Sequence, residues 1–193
     1  MIDPLYIFVF AGLFSPGPNV IMVTTSGARF GIKATIPHVL GIAIGVGITA
    51  GLTGLGIGAI VTNFPTVTLV LKIVAATWIL WMAYGMITKA RSSKQTGPDA
   101  PFTFIQAVLF QWVNPKIWAI ALAASAGYSI GLSPSGEAVR LATAFAGINL
   151  CVCLFWTFAG SLLTLLLKSD KAWSIFLGIM GVALAASALM IFI

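Results

Sequence analysis

Proline-broken motifs interrupt apolar stretches at matching places in the two halves of this 193-residue chain. One reads Ser15-Pro16-Gly17-Pro18-Asn19 and the other Trp112-Val113-Asn114-Pro115-Lys116, with Pro18 and Pro115 standing 97 residues apart. Proline has no backbone N–H and its ring clashes with the carbonyl four residues back, so a helix cannot run through it unaided. In hydrocarbon the freed polar groups need partners, and such a break is tolerated only where protein or water surrounds it. Paired interruptions in corresponding halves point to the substrate site of a secondary transporter.

Composition agrees with a bilayer environment. Apolar residues make up 60% of the chain and charged residues 7%, against roughly 45–50% and 25% in soluble domains. Four acids, Asp3, Asp99, Glu137 and Asp170, face ten bases, giving a net charge of +6. The bases are scattered singly at the ends of apolar runs, which excludes a nucleic-acid patch and fits juxtamembrane anchors. Met1-Ile2-Asp3 lacks the basic region of a secretory signal, so the first apolar run is expected to stay in the mature protein. Cys151 and Cys153 are two residues apart; on a helix that spacing points them in different directions, so neither a disulfide nor a metal site is expected. No cofactor is implied.

At about 17–25 residues per span, six segments emerge: Pro4–Thr25, Pro37–Val61, Val67–Thr88, Phe102–Gly127, Val139–Leu166 and Ala172–Ile193. The expected fold is an all-α integral membrane domain over 1–193. Its six transmembrane helices form two inverted three-helix repeats, 1–88 and 102–193, joined by a cytoplasmic connection at 89–101, with helices 1 and 4 broken at the proline motifs. Arg29, Lys33, Lys89, Arg91, Lys94, Lys168 and Lys171 collect on one side, against Arg140 and Lys72 on the other. The positive-inside rule makes the richer side cytoplasmic and turns both termini outward.

Asn114 suits an N-cap, and Pro115 and Pro18 suit first helical turns, while Gly17 admits backbone shapes closed to other residues. Each restart leaves unpaired N–H groups and a positive dipole end near mid-membrane, attractive to a carboxylate. Ser15, Pro16, Gly17, Pro18, Asn19, Asn114, Pro115 and Lys116 are therefore candidate substrate-binding residues. Lys116 is the one charge well inside the fourth span; it either faces a hydrated cavity or bonds carbonyls freed by the break. Asn149, the strongly polar residue deep in the fifth span, joins the candidates, with interhelical hydrogen bonding as its structural alternative. His38, the only histidine, reads as a solvated interfacial residue, with a proton-coupling role as the sharper alternative. Trp78, Trp81 and Tyr84 fall at helical spacing and read as packing residues or interface anchors. Gly41, Gly45, Gly47, Gly51, Gly54, Gly56 and Gly58 form a small-residue run expected to pack closely against the broken first helix, or to let helices slide.

The Ser15–Asn19 motif near the end of the first span resembles the signature of the lysine exporter superfamily, including its homoserine/threonine branch. Asn114-Pro115-Lys116 resembles that superfamily's second signature, and Ala75-Ala76-Thr77-Trp78-Ile79-Leu80-Trp81-Met82-Ala83-Tyr84 its third-helix pattern. Gly41 and Gly45, the length and the basic central connection fit as well. The resemblance implies export of amino acids or close derivatives from a bacterial cytosol across the inner membrane. In the lysine- and arginine-exporting members an acid follows the second-span glycine, where this chain has Gly45-Val46. With no acid between Pro4 and Lys94, a buried cationic side chain would find no counter-charge, so homoserine, threonine, leucine-like residues or cysteine and O-acetylserine are the expected substrates. The other partners implied are the lipid bilayer, a coupling proton and a second copy of the chain. A membrane-embedded enzyme lacks the clustered acids, histidines or activated nucleophile it needs, and an ATP-driven pump lacks the GxxxxGK[ST] loop. A passive channel remains the alternative that transport kinetics would separate.

Overall fold

The computed structural model describes residues 3–56, 65–91, 100–163 and 169–189. Those residues form the helices α1 (Pro4–Phe14), α2 (Pro18–Gly54), α3 (Pro65–Arg91), α4 (Phe104–Trp112), α5 (Pro115–Gly127), α6 (Pro134–Leu163) and α7 (Asp170–Leu189). Among them α2, α6 and α7 are long and apolar enough to cross a membrane, and the α4–α5 pair, bent by 62°, adds a fourth candidate. Large apolar side chains such as Trp81, Ile105, Val139 and Val182 lie on the outside, as a lipid-facing surface requires. The all-helical membrane protein read from the sequence is the fold observed.

Both proline motifs break their helices where expected. Asp3 caps α1 by accepting from the Leu5 N–H at 2.9 Å, and the helix stops at Phe14. The chain restarts with Pro18 in the first turn of α2, just as Pro115 opens α5 after α4 ends at Trp112. Thr103 and Gln106 form a capping box at the start of α4, two donors satisfied reciprocally.

The first two spans are joined differently from the expectation. Helix continues through residues 26–36 except at Gly31, whose φ of 78° lies in the left-handed region that glycine enters without penalty. This glycine makes the turn, so Pro37 sits inside the second half of α2 and does not open it. The third helix likewise continues into the start of the 89–101 connection, ending at Arg91. Val61, Gly58, Thr164, Leu166, Lys94, Asp99, Lys168 and the last four residues, 190–193, lie outside the described residues.

The first half of α2 is the centre of the molecule: every residue from Gly17 to Ala28 is buried. On one side Leu5 and Val9 of α1, Ile117 of α5 and Phe145 of α6 pack with Val23 and Ile42 of α2. On the other, Ile79 of α3, Phe110 of α4 and Leu184 of α7 enclose Ile21 and Met22. The glycine run of α2 does pack closely, but against α4 and α6 instead of the broken first helix. A Cβ on Gly45 would come within 2.7 Å of Gln111 Cγ, and one on Gly47 within 3.0 Å of Ala146 Cβ. Because the chain turns at Gly31, the second half of α2 runs back alongside these helices, and small residues there let the backbones approach.

Candidate functional site

A small cavity sits where the two restarts meet. Asn19, Asn114, Lys116 and Asn149 supply its polar lining, Leu13, Val20, Ile117 and Cys153 its apolar lining, and Gly17 and Pro18 complete it. Residues nearly 100 positions apart are thus brought to one point by α1, α2, α5 and α6. The cavity gives water centres about 10 Å³, roughly what a single water needs. It is closed too tightly around its polar groups to hold an amino acid without movement of the surrounding helices.

Asn19 and Gln111 form a two-way amide pair across the breaks. Asn19 Nδ2 donates to Gln111 Oε1 at 2.8 Å, and Gln111 Nε2 donates to Asn19 Oδ1 at 3.2 Å. Gln111 Nε2 also donates to the Ala107 carbonyl at 3.0 Å, and Asn114 Nδ2 donates to Gln111 Oε1 at 3.2 Å. All three amides are buried, so their hydrogen bonds are made in a low dielectric, where satisfied networks rigidify a site. Asn114 occupies the N-cap position of α5, but its side chain makes no capping bond. Gln111 has captured it, which corrects the expectation that Asn114 caps the helix. Neither α2 nor α5 has a side-chain cap, so both first turns keep uncapped N–H groups beside the cavity.

Lys116 links the two motifs directly. Its Nζ donates to the Ser15 carbonyl at 2.5 Å and reaches the Pro16 carbonyl at 3.5 Å. Those are carbonyls that the first break leaves without helical donors, so Lys116 both lines the cavity and bonds the freed backbone. Gly17 is extended, with φ −176°, a shape any residue adopts; the expectation of a special backbone conformation there is not met. What a side chain there would disturb is Lys116: a Cβ would lie 2.9 Å from its Cδ, so the lysine would have to shift.

Of the nine candidates, Gly17, Pro18, Asn19, Asn114, Lys116 and Asn149 line the cavity. Ser15 and Pro16 are exposed and take part through their carbonyls, while Pro115 only starts α5. Sequence reasoning passed over Gln111 and Cys153. Gln111 is an amide in an apolar stretch one turn before Pro115, and Cys153 lies one turn after Asn149, donating its Sγ–H to Asn149 Oδ1 at 2.9 Å. Cys151 points outward while Cys153 is buried, as their spacing requires. Among the described residues, no group of three or more His, Cys, Asp or Glu could hold a metal.

His38 is not solvated, contrary to expectation. It is 2% exposed, lies 5.3 Å from the Phe102 ring, and neither ring nitrogen finds a partner among the described residues. With the turn made at Gly31, His38 falls a full two turns into the second half of α2 and faces the chain entering α4.

Away from the cavity, the helices that line it are held together by different chemistry. At the Asp3 end, Arg140 Nη2 donates to Asp3 Oδ2 at 2.6 Å and Nη1 to the Tyr128 carbonyl at 2.7 Å, joining α6 to the starts and ends of α1 and α5. Glu137 Oε1 accepts from Ser129 Oγ and the Ile130 N–H, both at 2.9 Å, and folds the connection between α5 and α6. At the other end, Gly27 and Gly160 bring α2 and α6 into backbone contact through the carbonyls of Thr157 and Thr24.

The comparisons with known proteins fit a membrane carrier. A leucine efflux protein of Enterobacter sp. (strain 638) is 23% identical over 163 residues, covering 81% of this chain and 77% of that protein. A threonine efflux protein of Escherichia coli (strain K12) is 27% identical over 112 residues, 54% of each chain. A cysteine/O-acetylserine efflux protein of Klebsiella pneumoniae is 26% identical over 149 residues, covering 77% of this chain and 76% of that protein. No solved structure matches. The model of the LysE type translocators matches residues 10–193, so a match over nearly the whole length adds to the two broken helices and their shared cavity: the chain belongs to the LysE type translocator family.

Proposed function

We propose that this protein exports neutral amino acids or close derivatives from the bacterial cytosol across the inner membrane, as a gradient-driven carrier working by alternating access. One observation carries the reading. The cavity at the two helix restarts is lined by amides and one lysine, with no carboxylate among its lining residues. An ammonium on a lysine or arginine side chain would be stranded there, whereas an α-carboxylate meets Lys116 and the uncapped first turn of α5. The relatives named for leucine, threonine and cysteine/O-acetylserine efflux support neutral substrates. The translocator family argues against the enzyme reading.

In this proposal six spans form two inverted three-helix repeats, with both termini outward and the 89–101 connection in the cytosol. Lys116 exchanges the Ser15 and Pro16 carbonyls for the substrate carboxylate as the helices separate. A passive channel is disfavoured by a cavity with room for about one water. The test is efflux from proteoliposomes loaded with radiolabelled leucine, threonine or lysine, with and without a proton gradient. Saturable, gradient-dependent export of leucine or threonine is expected; lysine ranking first, or flux that never saturates, would sink the reading.

A further inference from the structure

Asn114 Oδ1 is buried and finds no donor among the described protein atoms. Its orientation is fixed by the neighbouring amides. Gln111 Nε2 donates to the Ala107 carbonyl, and a carbonyl only accepts, so that atom is the nitrogen and Oε1 is the acceptor. Gln111 Oε1 then takes two donors, Asn19 Nδ2 and Asn114 Nδ2. The amide nitrogen of Asn114 is thereby committed, and its oxygen is left as an acceptor in a residue that lines the cavity. Asn149, across the cavity, differs: its oxygen already accepts from Cys153.

A buried acceptor without a donor is costly in any state that leaves it so, and a ligand N–H that reaches it is selected over one that cannot. The same cavity holds Lys116, a cation that cannot serve as the ligand of an incoming cation but suits a carboxylate. We infer that Asn114 Oδ1 is the acceptor for the α-ammonium of the substrate, so that the site takes zwitterions with a free amine beside the carboxylate, and rejects carboxylic acids of the same shape that carry no donor there. The inference rests on the amino-acid reading above and sharpens it. Asn114 sets the substrate's amine specificity, and Gln111 and Asn19 position it by holding its nitrogen.

The test is competition in proteoliposomes holding the full chain, with radiolabelled L-leucine as probe. Unlabelled L-leucine and 4-methylpentanoate, which replaces the ammonium by hydrogen, serve as competitors. The wild type is expected to prefer leucine over the deamino acid by at least roughly tenfold. Asn114→Ala is expected to lose most of that preference, and Asn114→Asp, which keeps an acceptor, to retain it. Undiminished preference in Asn114→Ala would overturn the inference while leaving leucine export standing. Should Asn114→Ala fail to insert, equal competition by the deamino acid in the wild type would overturn it, and strong preference for leucine there, kept by Asn114→Asp, would support it. A wild type that carries neither leucine nor threonine would overturn both readings.

Discussion

Gly27 lies directly against the backbone carbonyl of Thr157, and the contact is reciprocated: Gly160, three residues on, lies against the carbonyl of Thr24. Thr24 and Thr157 each turn their hydroxyl back to the carbonyl four residues earlier, at 2.7 Å. The two Thr-x-x-Gly segments therefore cross face to face with only backbone between them. Neither obstacle is a flexible side-chain end: a Cβ on either glycine would meet backbone, so the two helices would have to move apart. Gly27→Ala or Gly160→Ala should destabilise the protein by ~1–3 kcal/mol or more. Gly147→Ala, whose Cβ would meet nothing within 4 Å, should be close to neutral. Thermal unfolding in detergent, followed by tryptophan fluorescence, separates the three.

Lys116 has two tasks in this arrangement, and its variants should expose both. Lys116→Met leaves the exposed Ser15 and Pro16 carbonyls without their shared donor, which should lower stability by only about 0.5–1.5 kcal/mol while abolishing most transport. Lys116→Arg should restore some stability but little transport, because a planar fork does not replace a compact ammonium in a space this close to Gly17. Wild-type efflux from a folded Lys116→Met variant would remove the lysine from substrate handling.

The ion pair at the Asp3 end predicts a response to acid. The Arg140 guanidinium, and then the Leu5 N–H, hold the Asp3 carboxyl below its ordinary value of 3.8. A carboxylate whose pKa is depressed by folding contributes stability above its unfolded pKa, and that contribution disappears as pH falls through the folded value. Unfolding temperature should therefore drop below about pH 4 more steeply in the wild type than in Asp3→Asn. Parallel curves for the two proteins would show that the pair contributes nothing.

Orientation can be read chemically. In a background lacking Cys151 and Cys153, a cysteine at the exposed Ala100 should react with an impermeant thiol reagent only from the cytosolic side. One at the exposed Ser133, in the connection between α5 and α6, should react only from outside. Labelling of both positions from the outside of intact cells would reverse or remove the proposed topology.

Much of this molecule was legible one residue at a time. A proline's missing donor and fixed ring are covalent properties, so the breaks at Pro18 and Pro115 and the helix starts that follow them could be located without knowing any neighbour. The same holds for the membrane setting, which composition carries, and for the family, which the two motifs announce. Six of the nine candidate residues meet at one cavity, five of them because they cluster around those breaks and Asn149 because α6 packs against both.

What only the tertiary structure decided concerns partners. Nothing local to Gln111 says that it will hold Asn19 and Asn114 together, since that depends on two faces meeting across 92 residues. His38 read as solvated because the turn was assigned to Pro37; a left-handed Gly31 seven residues earlier moved it into the interior. The glycine run of α2 announced close packing but not its partners, α4 and α6. Lys116 carried a charge visible in the sequence, yet the carbonyl that answers it, Ser15, lies 101 residues away. The sequence determined where backbone groups would be left without local hydrogen bonds; only the fold determined which distant atoms satisfy them, because a hydrogen bond depends on proximity and angle in space.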